Sequence, residues 1–87
     1  MNRNVNLSLS ADEALVLSDF LSRFEQTGKL ELTHNAEFLA LSQVSAQLDK
    51  ALVEPFDPNY ALLVNQARER LAAGYEGSAP GVTGGGA

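Results

Sequence analysis

Glu31, His34 and Glu37 are the residues with the most chemistry in the shortest span. Spaced by three, they would align on one face of a helix, and two carboxylates with an imidazole suit a divalent cation. That alignment needs a helix already running at Glu31. The pattern instead starts a helix after His34, where Glu37 has the ordinary role of complementing the helix dipole. Asp12 with Glu13, and Asp49 with Glu54, are the carboxylate pairs available for acid–base work. Neither sits in an apolar stretch that would raise a carboxyl pKa, and solvated helix faces account for both. Asn6-Leu7-Ser8 fits a glycosylation triplet but has no secretory signal ahead of it. With no cysteine and one histidine the chain lacks thiol chemistry and a zinc cluster, and its terminal glycines have no helix to follow. The expectation is a non-enzymatic chain with no cofactor and no metal.

The 87 residues carry eleven acidic against six basic side chains, a net charge of -5. Non-specific nucleic-acid binding needs clustered Lys and Arg, and Arg3, Arg23, Lys29, Lys50, Arg68 and Arg70 are scattered. No apolar run approaches the roughly 20 residues of a membrane span. The N-terminus lacks a signal-peptide core, so the expected location is the cytoplasm. Six of the seven glycines fall in residues 74–87, which reads as a disordered Gly-rich tail. Residues 1–73 are then the folding unit. A domain that small, with no disulfide available, is near the size at which a partner chain becomes the usual remedy.

The elements follow from periodicity and caps. Asn4 to Leu9 alternate polar and apolar, the pattern of a half-buried strand with Val5, Leu7 and Leu9 inward. Ser10-Ala-Asp-Glu13 is a capping box. It opens a first helix reaching about Thr27, with Gly28 placed to end it. Ala14, Val16, Leu17, Phe20, Leu21 and Phe24 form its apolar arc, Asp19 and Arg23 form an i,i+4 pair opposite, and Leu15 stands apart among polar neighbours. Residues 29–33 alternate again and could supply a second short strand. The second helix starts near Asn35 and ends by Glu54, ahead of Pro55, with Phe38, Ala40, Leu41, Val44, Leu48, Ala51 and Leu52 on its main face. Asp57 and Pro58 suit the cap and first position of a third helix reaching about Ala73, which buries Tyr60, Leu63, Val64, Ala67 and Leu71. The fold expected is a mainly α, small helical bundle: one N-terminal strand, three helices and, most simply, two chains.

Leu15, Leu39, Val53 and Leu62 are large aliphatic residues off the main arcs of their helices. Leu39, Ala46 and Val53 recur every seven residues, a second stripe on the second helix. Apolar residues in such places suggest an intermolecular surface on a chain with little core of its own. The expected activity is therefore protein–protein interaction by a small acidic homodimer, with an unidentified protein as partner. Strand pairing through Val5, Leu7 and Leu9 of two subunits would join the copies.

The order strand, helix, helix resembles the ribbon-helix-helix repressors, in which two chains pair strands into a ribbon that reads the major groove. The resemblance implies that Asn4, Asn6 and Ser8 face DNA and that Arg3 contacts phosphate. Three departures weigh against it: a longer first helix, a single basic residue in the ribbon, and a third helix without counterpart. Residues 12–24 and 52–60 also resemble segments of small bacterial proteins of similar length, which implies a bacterial cytoplasmic setting and no mechanism.

Overall fold

The computed structural model describes residues 3–82, and the chain is mainly helical. Helix α1 spans Ala11–Thr27, α2 spans Asn35–Ala51 and α3 spans Tyr60–Ala72, with a 3₁₀ turn at Glu54–Phe56. Helix α1 is the centre. Helices α2 and α3 pack on it rather than on each other.

The start of α1 is built by the capping box. Ser10 Oγ accepts from the Glu13 amide at 3.0 Å, and Glu13 Oε1 accepts from the Ser10 amide at 2.8 Å. A cap of this kind contributes about 1 kcal/mol. Gly28 ends the helix at φ 66°, where its amide donates to the Phe24 carbonyl. A side chain there would be strained, so glycine is favoured. His34 caps α2, its Nδ1 accepting from the Ala36 amide at 3.0 Å. The third helix begins two residues later than its Asp-Pro signal implies. Asp57 Oδ1 accepts from the Asn59 amide at 2.7 Å, and the Tyr60 amide donates to the Asp57 carbonyl. That turn occupies Pro58 and Asn59 before regular helix sets in.

The core has two parts, one on each flank of α1. Leu21 meets Leu48 of α2 and Leu52 just beyond its end, with Ala14, Leu17 and Leu41 around them. Phe24 extends this flank, meeting Phe38 edge-on with ring centroids 6.2 Å apart. Leu15 meets Val64 and Ala67 of α3, with Val16, Tyr60 and Leu63 around them. At about 100° per residue these two directions on α1 lie roughly 120° apart, wider than a single amphipathic arc.

Two expectations are corrected here. Residues 3–10 are exposed and form no strand, and neither do residues 29–33, so there is no strand among the described residues. A strand needs a partner edge to satisfy its N–H and C=O groups, and this chain offers none to residues 4–9. Leu15 is only 4% exposed and belongs to the core of its own chain, not to an outer surface. The apolar arc drawn for α1 is also displaced. Phe20 is partly exposed, and so are Phe38 and Val44 on α2 and Leu71 on α3. Within the tail, residues 74–82 are described; they carry neither helix nor strand. Residues 83–87 lie outside the described residues.

Candidate functional site

Asp12 and Asp19 of α1 do structural work. Asp19 Oδ2 accepts from Arg23 Nε at 3.0 Å and from Arg68 Nη2 at 2.9 Å, while its Oδ1 accepts from the Tyr60 hydroxyl at 2.8 Å. Asp12 takes Arg70 in a bidentate pair, Nε to Oδ2 at 2.9 Å and Nη2 to Oδ1 at 2.8 Å. Asp12 and Asp19 are seven residues apart and so share a face of α1. Arg68, Arg70 and Tyr60 meet that face from α3. The side of α1 that carries Asp12 and Asp19 is therefore the α3 contact, and Leu15 lies between them on the same side.

These contacts shift proton affinities in definite directions. The hydrogen bond from Arg70 holds the Asp12 carboxyl below its usual range. The Thr33 amide, followed by its hydroxyl, does the same for Glu37. Burial, then the hydrogen bond to Asp19, pushes the Tyr60 phenol up to about 12. Each shift favours the protonation state found at neutral pH. None creates a group poised for proton transfer near neutrality.

The candidate metal triad is not assembled. His34 Nδ1 is engaged as the cap of α2, both Glu37 oxygens accept from Thr33, and Glu31 precedes the helix. No group of three potential ligands converges among the described residues. Of the acid–base pairs, Asp12 and Glu13 serve the arginine pair and the capping box. Glu54 Oε1 accepts from the Val53 amide at 3.2 Å, and Asp49 is exposed.

What the fold leaves at the surface is apolar. Leu39 is 66% exposed, Val53 76% and Leu62 55%, and Ala46 is exposed beside them in the pattern. The seven-residue stripe holds from Leu39 to Ala46 and then breaks. Leu52, at φ -101° and ψ 140°, is extended, so Val53 leaves the helical track. Val53 joins Phe56 instead, whose amide donates to the Val53 carbonyl at 3.0 Å. Phe56 is 86% exposed, the largest exposure of any large apolar residue described. It was not among the surface candidates from sequence, because it sits in a Pro-flanked turn that periodicity does not address. The signal was there: an aromatic between Pro55 and Pro58, off every helix face.

No protein-family model matches this chain, and no curated protein or solved structure matches it significantly. The surface has to be interpreted from its own chemistry. Val5, Leu7 and Leu9 are exposed along with Asn4, Asn6 and Ser8, so the two faces of the N-terminal segment are not distinguished by burial in a single chain. Arg3, also exposed, is the sole cation of that segment. No helix among the described residues is long and apolar enough to cross a membrane.

Proposed function

We propose that this chain is a non-enzymatic protein–protein interaction module, a small acidic homodimer that docks another protein on its outer apolar faces. The observation that carries the proposal is the exposed corner of Val53 and Phe56, held by Pro55 and Pro58 beyond the end of α2. Aromatic and branched aliphatic side chains on a rigid turn lose little entropy on binding and suit the centre of an interface. Leu39 and Ala46 on α2 and Leu62 on α3 are further exposed apolar positions outside that corner. Burial of each large side chain contributes on the order of 1.5–3 kcal/mol. The carboxylates engaged in caps and ion pairs support a binding role over acid–base catalysis.

The N-terminal segment supports self-association. Residues 4–9 present three apolar side chains on alternate positions with no charge and no proline among them. An antiparallel ribbon between two copies would pair the main-chain groups that one chain leaves to solvent, and would give Val5, Leu7 and Leu9 a common inner face. The competing ribbon-type DNA-binding reading has only Arg3 to set against phosphate and a net charge of -5 opposing it.

The test is the mass in solution by sedimentation equilibrium, repeated for the variant Leu39→Asp with Val53→Asp. The natural chain is expected to be a dimer. The double variant is expected to keep its helical circular dichroism and its dimer mass while losing its protein partner. A natural chain that stays monomeric at every concentration overturns the dimer, and a double variant that keeps its partner shows the surface to be misplaced.

A further inference from the structure

His34 stands where a helix usually takes serine, threonine, aspartate or asparagine. Its Nδ1 accepts from the Ala36 amide at 3.0 Å, and its carbonyl accepts from the Glu37 amide at 3.0 Å. The first bond uses the ring lone pair, so it exists only in the neutral imidazole that carries its proton on Nε2. With a second proton on the ring, Nδ1 becomes a donor facing a donor. A positive charge then stands at the positive end of the α2 dipole. Serine, threonine and asparagine caps have no such second state.

No other side chain of this protein belongs to a type that ordinarily titrates between about pH 5 and 8, because the chain has one histidine and no cysteine. The charged groups around it are Lys29 and Glu31 on the connector, Glu37 in the first turn of α2, and Arg23 and Glu25 near the end of α1, the helix that packs on α2. His34 forms no ion pair with any of them among the described residues. Glu37 is occupied, its Oε1 accepting from the Thr33 amide at 2.9 Å and its Oε2 from the Thr33 hydroxyl at 2.8 Å. Those bonds hold its carboxyl below the usual range, so they outlast the loss of the His34 cap. The turn is fastened twice, and only one fastening responds to a proton near neutrality.

We propose that His34 is a pH-sensitive latch on the first turn of α2. A proton from bulk water, taken up on Nδ1, breaks the bond from the Ala36 amide, and the turn loosens while Glu37 keeps its hold on Thr33. Phe38 lies in that turn, so its edge-on contact with Phe24 loosens with it. Leu39 follows Phe38 and is exposed, so the latch sets how firmly that apolar position is presented. The latch is a property of the fold and stands whether or not the chain binds a partner.

The test uses the whole chain, ¹⁵N-labelled, between pH 7.5 and pH 5. Long-range ¹H–¹⁵N spectra at pH 7.5 are expected to show His34 Nδ1 without a proton. As pH falls, the Ala36 and Glu37 amides are expected to titrate together with the ring. Their protection from solvent exchange, corrected for the intrinsic rate, should fall about tenfold, the combined effect of a lost cap and an opposed dipole. His34→Asn, which caps without titrating, is expected to keep that protection at both pH values, and His34→Ala to lack it at both. A proton on Nδ1 at pH 7.5, amides of Ala36 and Glu37 that stay still while the ring titrates, or a His34→Asn chain that loosens over the same range would each overturn the latch.

Discussion

Leu21→Ala is expected to cost about 3–5 kcal/mol and to leave much of the chain unfolded at room temperature. Leu21 is 1% exposed and is the one large side chain fully buried among the described residues. It packs with Leu48 of α2 and Leu52 just beyond that helix, with Ala14 and Leu17 of its own helix against the same cluster. Deleting its branched end removes transfer free energy and leaves a cavity that two packed helices cannot close. A single core in a domain of this size rarely supplies more than about 3–5 kcal/mol, so the loss is comparable to the whole. Urea titration followed by circular dichroism measures it, with the midpoint near or below zero denaturant as the expected result. Leu15→Ala on the opposite flank is expected to cost about 2–5 kcal/mol, whereas Leu39→Ala should stay within about 0.5 kcal/mol in stability. A Leu15→Ala chain that melts normally but changes its mass would return Leu15 to the surface.

Asp19→Ala is expected to cost about 2 kcal/mol, since it removes a charged acceptor shared by three donors and strands the Tyr60 hydroxyl. The exposed ends of Arg23 and Arg68 limit the electrostatic part. Asp19→Asn keeps an acceptor for Tyr60 and should recover roughly half of the loss. The same contact sets an alkaline limit. A phenol raised to about 12 in the folded chain binds its proton more tightly than in the unfolded chain. Its contribution to stability is complete below the unfolded value near 10 and is lost as pH rises through 12. Thermal melts across that window should show a falling limb, flattened in Tyr60→Phe. In Asp19→Ala the phenol should move down but not fully back, because its burial, the larger cause, remains. A natural chain with no alkaline limb would dissociate Tyr60 from the α1–α3 contact.

The limits of sequence reasoning have a common source in these residues. Asp12, Asp19 and Arg23 share the side of α1 opposite its apolar arc, and from sequence that side looks solvated, which makes Leu15 look stranded. Two acids seven residues apart on α1, and two arginines in α3, were the available sign that the polar face had a partner. Ser18 and Ser45 are buried with no apolar signal to mark them. Phe20 and Leu71 went the other way: both lie on apolar arcs, yet both stay partly exposed.

What the sequence by itself determined was local. The capping box at Ser10, the glycine stop at Gly28, the Asp19–Arg23 pair and the three helices rest on hydrogen bonds and torsions spanning one turn, and such terms are encoded in neighbouring residues. Tertiary structure alone decided that α1 is sandwiched between α2 and α3, that its acids bind arginines some fifty residues away, and that residues 4–9 have no edge to pair with in one chain. Those outcomes depend on which surfaces meet. A helical wheel gives the direction of each side chain, but burial is a property of the partner that arrives there.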